Sequence, residues 1–316
     1  MYGKLQFARR LFPVKGAYMS MKVLNFGSLN LDLVYQMPHF IRAGETLSST
    51  SFSRSVGGKG LNQSVALAKA GADITHAGMI GQDGLMLRDF LSENGVNTAL
   101  VRVVDQPSGH AVIQVEPDGG NCIFLYGGAN RCITDEFIAE ALSGFGRGDL
   151  LVLQNEINSI DRIISAAYDK GMQVVLNPSP IADNLKSLPL EKISWFILNE
   201  VEGAELSGET EPDKIIERLL ALYPHAKIVL TLGGDGSIYA DRHRRIRQSA
   251  YRVKAVDTTA AGDTFTGFFF AAVADGVDVE NALKRASKAS SISVTRPGAA
   301  ASIPTLSEVL KALEEE

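Results

Sequence analysis

LLVLQNEINSIDRIISAAYDKGMQVVLNP, Leu150–Pro178, carries the pattern from which the fold follows. Leu150–Leu153 is a short apolar run that ends in the polar group Gln154–Asn155–Glu156. Ser159–Lys170 then reads as amphipathic helix, and Gln173–Leu176 is a second apolar run, closed by Asn177–Pro178. Strand, helix and strand in this order make a βαβ unit. The same alternation recurs on both sides. Val23–Phe26 precedes Gly27, Trp195–Leu198 precedes Asn199–Glu200, and Lys227–Leu232 precedes Gly233–Gly234, with amphipathic Asp213–Tyr223 between the last two. The chain is therefore α/β, a mostly parallel sheet flanked by helices on both faces. Ligands of open sheets bind at the carboxyl ends of the strands. Glu156, Asn177, Asn199 and Gly233 are expected to face one crevice.

Two segments break the alternation. Thr46–Val56 is rich in Ser and Thr, and His110–Val115 with Asn121–Leu125 flank the turn cluster Glu116–Gly120. The second pair reads as a hairpin with a Pro-Asp-Gly-Gly turn. With Leu31–Tyr35 these make a small projecting β-sheet, formed by parts of about 31–56 and 109–127. Such a sheet is either a lid over the crevice or an added edge that only packs. Residues 21–316 read as one domain. Residues 1–20 carry Lys4, Arg9, Arg10 and Lys15, with no acidic residue before Asp32, and read as a disordered extension.

The chain has 316 residues, 45% hydrophobic and 21% charged, with net charge −5. That composition suits a globular protein with a large core and argues against nucleic acid as partner, since phosphate-backbone binding needs clustered cations. The densest basic run, Arg242–Arg247, reads as a solvated loop or hairpin. Two cysteines, Cys122 and Cys132, form no CxxC pair, and the five histidines show no ligand spacing. Neither a disulfide framework nor structural zinc is expected, which fits a cytoplasmic location. Phe268–Val273, the most apolar run, is too short to cross a membrane.

The chemistry concentrates in Ala255–Phe265. Asp257 and Asp263 bracket small residues, and an apolar helical segment follows. The amides of Ala260, Ala261 and Gly262 would fall at the first turn of that helix, where unpaired donors and the dipole favour anions. A carboxylate beside such a nest suits phosphoryl transfer. The plain alternative is a helix start capped by Asp263. Gly57–Gln63 is glycine-rich and precedes the helical run Ser64–Ala70, but it is not a Walker A loop, because Ser53 and Gly60 stand where a glycine and a Ser or Thr are needed. Lys59 and Asn62 there are candidate donors to hydroxyls or phosphate. Asn30 and Asp32 share one strand phase and suit vicinal sugar hydroxyls, or else form an Asx turn. Asn199 and Glu202 read as a capping box, or as a carboxylate holding hydrated Mg2+ through water. Thr231–Gly236 reads as a glycine turn over a nucleotide, or as a plain β-turn.

In this order the motifs resemble the ribokinase family of carbohydrate kinases, also called the PfkB family. The resemblance runs from about Lys22 to the C-terminal region and rests on Gly57–Gln63 and Asp257–Phe265. Gly27–Asp32, Gly44–Thr46, Gly128–Asn130, Asn177–Pro178 and Val294–Gly298 are most similar to the family's ribose kinases, while Leu31, Asn155 and Pro297 depart from them. The resemblance implies a catalytic base at Asp263 and an anion hole at Ala260, Ala261 and Gly262. It implies sugar contacts at Asn30, Asp32, Gly58, Lys59, Asn62, Glu156 and Asp257. It implies ATP contacts at Asn199, Thr231, Gly233 and Gly236, and water-mediated Mg2+ at Glu202. It implies K+ bound largely by backbone carbonyls of Asp257, Thr259, Ser293, Arg296, Gly298 and Ser302, and a homodimer through the β-lid. The implied activity is an ATP-dependent sugar kinase, with D-ribose converted to ribose 5-phosphate as the leading case. A fructokinase, a 2-keto-3-deoxygluconate kinase or a nucleoside kinase is the alternative, and a non-catalytic sugar-binding regulator a further one.

Overall fold

The computed structural model describes residues 21–315, so the extension expected over 1–20 lies outside the described residues. Strands β1 (Val23–Phe26), β4 (Ile74–Ile80), β5 (Asn97–Val103), β8 (Leu150–Gln154), β9 (Gln173–Asn177), β10 (Trp195–Asn199), β11 (Lys227–Thr231), β12 (Ser237–Ala240) and β13 (Arg245–Gln248) form one sheet. Its order is β13-β12-β11-β10-β9-β8-β1-β4-β5, parallel except where β12 joins β11 and β13. The basic run Arg242–Arg247 thus lies in an outer hairpin. A second sheet has the order β3-β2-β6-β7, from β2 (Asn30–Gln36), β3 (Ser51–Gly57), β6 (Gly109–Val115) and β7 (Asn121–Tyr126). β2 and β6 run parallel, and the outer pairs are antiparallel. Of Thr46–Val56, expected to contribute to the small sheet, the part from Ser51 onward forms its strand.

Helices cover both faces of the large sheet. They are α1 (Lys59–Lys69), α2 (Leu85–Glu93), α3 (Asp135–Leu142), α4 (Ile160–Asp169), α5 (Glu200–Ser207), α6 (Pro212–Leu222), α7 (Ala261–Ala274), α8 (Val279–Ser293) and α9 (Leu306–Glu314). Side-chain alternation splits each strand between two cores. Val23, Val152, Val175 and Val229 face α1, α2 and α7–α9, while Leu24, Leu151, Leu176 and Leu230 face α3, α4 and α6. Trp195 anchors the first core, with its ring edge-to-face against Phe269 and Phe270. The first core also holds a close helix crossing. A Cβ built on Gly267 of α7 would lie 2.3 Å from Cβ of Ala66 on α1, so only glycine admits this approach.

This topology places the crevice. After β1 the chain builds outward through β4 and β5, and it returns to build the other way from β8. β1 and β8 are neighbours, with Phe26 opposite Leu153. The switch point lies between them, and connections leaving their carboxyl ends diverge to opposite faces, which opens a gap above the sheet. Gly27, Ser28 and Glu156 stand at that gap.

Candidate active site

The start of α1 is held by residues from two other segments. Gly58, the residue before the helix, has φ 96° and offers no side-chain cap. Ser28 and Glu156 act instead. The Ser28 carbonyl accepts from the Leu61 N–H (3.0 Å), and Ser28 Oγ accepts from the Gly60 N–H (3.2 Å). Glu156 Oε2 accepts from the Lys59 N–H (3.0 Å) and from the Ser28 hydroxyl. The unpaired donors of the first turn are thereby satisfied. Burial raises the Glu156 carboxyl above its ordinary range, against the bonds from Ser28 and Lys59. Close by, the Asp32 carboxylate covers Gly57, where a Cβ would lie 2.2 Å from it. Burial, helped by the charge of Glu156, pushes Asp32 up to about 6. Asn30 is tied to Asn130, whose Nδ2 donates to Asn30 Oδ1 (2.7 Å). Asn30, Asp32, Gly58, Lys59, Asn62 and Glu156 therefore gather around one helix start.

α7 begins beside it. Ala260 precedes the helix with φ 58°, a left-handed conformation costly to a residue with a Cβ, on the order of 1 kcal/mol. The plain capping alternative does not hold. Asp263 is buried in the first turn, and its carboxylate turns away from the helix end to α1. Oδ2 accepts from Asn62 Nδ2 (3.0 Å) and Oδ1 from Gln63 Nε2 (2.9 Å). The amide nest is narrower than expected, since the Ala261 N–H is directed to the Thr258 carbonyl (3.2 Å). Gly262 is exposed, and a Cβ there would meet nothing within 4 Å.

A cavity of about 330 Å3 lies over this turn, lined by Lys59, Asn177, Asn199, Glu202, Thr231 and Ala260–Asp263. Burial disfavours the Lys59 charge, but Asp263, Glu156 and Glu202 outweigh it and raise the ammonium above its ordinary range. The Asn199–Glu202 capping box is complete, and the same pair lines the cavity. A second cavity of about 520 Å3 adjoins it and shares Thr231, Gly233, Thr258, Ala261 and Gly262. Its walls are mostly apolar, from Tyr251, Val253, Phe265 and Val294, and its rim is the Gly233–Gly236 turn. Gly236 has φ 104°, and a Cβ there would lie 2.0 Å from the Gln248 carbonyl. An apolar slot leading to a polar chamber that holds Lys59 suits a molecule with a ring at one end and phosphates at the other.

Asp257, expected as a sugar contact, has both carboxylate oxygens engaged by backbone. Its Oδ1 accepts from the Thr259 N–H and its Oδ2 from the Gly298 N–H, both at 2.9 Å. The carboxylate instead clasps two loops, 256–259 and 294–298, which the Val256 N–H to Val294 carbonyl bond (2.7 Å) also joins. Arg296 turns its guanidinium to Glu308 (2.7 Å), and Ser293 and Ser302 direct their hydroxyls to nearby carbonyls. Among the described residues no group of three or more His, Cys, Asp or Glu side chains converges on a metal position.

The sequence pattern described as pfkB family carbohydrate kinase matches residues 20–306. The chain belongs to that family. Its curated relatives include the ribokinase of Bacillus subtilis (strain 168), 36% identical over 287 residues, covering 90% of this chain and 96% of that protein. The deoxyribokinase of Salmonella typhi is 31% identical over 299 residues, covering 91% and 97%. The Arabidopsis thaliana ribokinase solved with ribose and ATP superposes with a TM-score of 0.83 at 31% identity, covering 94% and 99%.

For this pfkB-family carbohydrate kinase the motif residues were visible in sequence, but three site residues were not singled out. Ser28, Gln63 and Gln154 all stood inside quoted stretches. Nothing local marks an amide or hydroxyl as part of a site until its neighbours are known. Asn177, Asn199 and Gly233 do line one crevice, as expected at strand ends, whereas Glu156 does not line it and accepts instead from the Lys59 N–H.

Proposed function

We propose that this chain transfers the γ-phosphoryl group of ATP to the primary hydroxyl of a sugar, with D-ribose to ribose 5-phosphate as its reaction. The carrying observation is the buried Asp263 carboxylate, held by two amide donors in the wall of the polar cavity. In this reading Asp263 takes the hydroxyl proton while the oxygen attacks the γ-phosphorus and the bond to ADP breaks. The Gly262 amide, the α7 dipole and Lys59 meet the charge that develops. Asn30, Asp32, Asn62 and Glu156 hold the sugar hydroxyls, and the Tyr251–Phe265 slot takes the adenine. The named ribokinase relatives and the neighbour holding ribose and ATP support both substrates.

The donors present fit both implied cations. Glu202 accepts two bonds from Asn199 and keeps capacity for water, so it would hold Mg2+ through water, and bound Mg2+ neutralises phosphate charge. Carbonyls of Asp257, Thr259, Ser293, Arg296 and Gly298, with Ser302, are hard oxygen donors suited to K+ beside α7. The lid sheet exposes Phe52, Ile123, Phe124, Leu125 and Tyr126 on its outer strands, an apolar surface suited to a second copy of the chain. Among the described residues no helix is long and apolar enough to cross a membrane, and a cytoplasmic location fits this reading.

ADP release with Mg2+·ATP, across ribose, 2-deoxyribose, fructose, 2-keto-3-deoxygluconate and adenosine with and without K+, tests the proposal. Preference for ribose that rises with K+ is expected. Preference for 2-deoxyribose would favour the deoxyribokinase side of the relatives. Asp263→Asn is expected to lower kcat by about 10²–10⁴-fold with sugar binding retained; near-normal turnover would remove Asp263 as the base.

A further inference from the structure

Beneath Asp263 lies a buried chain of amides that the reaction above does not use. Gln63 is wholly buried. Its Nε2 donates to Asp263 Oδ1 (2.9 Å) and to Asn177 Oδ1 (3.2 Å), so both N–H bonds are engaged. Its Oε1 accepts from Nε2 of Gln154 (2.6 Å), the last residue of β8. Gln154 Nε2 also donates to Asn25 Oδ1 (3.0 Å) on β1. Asn25 Nδ2 donates to the Gly60 carbonyl (2.7 Å) and to Ser64 Oγ (2.8 Å). Ser64 Oγ pairs with Nδ1 of buried His76 (2.8 Å) on β4.

The direction of the amide bonds follows from one group. A backbone carbonyl only accepts, so Gly60 decides which end of Asn25 donates. Asn25 then shows oxygen to Gln154, which must answer with nitrogen. That nitrogen also faces Gln63, which must show oxygen there and nitrogen to Asp263. The cost is visible: Gln154 Oε1 is buried with no partner among the described residues. Leaving an acceptor unpaired is unfavourable. The reversed amide would set oxygen against the oxygens of both neighbours.

We propose that Gln63 and Gln154 are positioning residues for phosphoryl transfer. Gln154 locks the Gln63 amide so that it offers N–H, never oxygen, to the Asp263 carboxylate, and the carboxylate stays in one orientation toward the hydroxyl. This rests on Asp263 acting as the base.

The test uses Gln63→Met, Gln154→Met and Gln154→Glu in the full chain, each alone and with Asp263→Asn. kcat, both KM values and the thermal midpoint are measured. Gln63→Met removes the donor to Asp263, and Gln154→Glu, assayed at a pH where the new carboxyl is ionised and so accepts only, forces the Gln63 amide to reverse. Both are expected to lower kcat about 10- to 100-fold, the scale of a small misplacement of a reacting group, with each KM within about threefold. In the Asp263→Asn background the same changes are expected to alter kcat less than about twofold, because residues that act as a unit are not additive. If Gln63→Met does not fold, Gln154→Met probes the same lock through a bond that never touches Asp263. A shifted thermal midpoint with unchanged kcat, or equal fold losses in both backgrounds, would reduce the chain to packing and overturn the proposal. Normal turnover by Asp263→Asn alone would instead overturn the base reading.

Discussion

Asp32 is the residue whose state the crevice most clearly controls. Burial and Glu156 push it up to about 6, so near neutrality it is ionised and able to accept two hydroxyl donors. Below about pH 6 it takes a proton and loses part of that capacity. kcat/KM for the sugar is therefore expected to be level above about pH 6 and to fall below it, and Asp32→Asn is expected to lower and flatten the profile. Steady-state kinetics from pH 5 to 8 would show this, and an unchanged acid limb in Asp32→Asn would assign it elsewhere. Carboxylates and the lysine of this site were legible in sequence because charge inside a glycine-rich motif is informative by itself. Ser28 was not, because its role is to accept from Gly60 of a helix start 32 positions away in sequence.

Two helices bring the site together, and their crossing decides its geometry. Gly267 lies one turn after Asp263, and Ala66 one turn after Asn62 and Gln63, so the glycine contact and the carboxylate–amide contacts share one helix face. Gly267→Val is expected to lower stability by about 1–3 kcal/mol and to reduce kcat as Asp263 moves off its donors. Urea unfolding with kinetics checks both. Gly262→Ala makes the opposite case, because its Cβ meets nothing within 4 Å and the position is helical. Stability is expected to change by less than about 1 kcal/mol while the KM for ATP rises at least about tenfold, the new methyl group standing where phosphate would approach; an unchanged KM would place the phosphates elsewhere. At this scale the sequence showed the parallel strands β1 and β8–β11. It did not show β4 or β5, since β4 interrupts its apolar residues with Thr75, His76 and Gly78.

Across the whole molecule, buried groups couple the crevice to stability, with opposite signs. Burial lowers His76 from 6.5 to about 4. The folded state therefore binds fewer protons than the unfolded one, and stability present above about pH 6.5 is lost as pH falls toward 4, by roughly 3 kcal/mol in all. Asp32 is raised, so the folded state binds more protons between about pH 4 and 6, and its ionisation costs stability as pH rises. Asp32→Asn is expected to be the more stable protein at pH 7, by up to roughly 3 kcal/mol, with the gain vanishing near pH 4. Denaturant midpoints at both pH values decide it, and a gain that persists at pH 4 would separate the effect from ionisation. What the sequence determined alone is the alternation of strand and helix and the two glycine-rich motifs, because periodicity and backbone freedom are local properties of the chain. What only the tertiary structure decided is the order of the strands, the clasp of Asp257 across two loops, and the amide chain from Asp263 to His76. Each of these depends on which distant donor meets which acceptor, and that pairing exists only once the sheet has closed around its switch point.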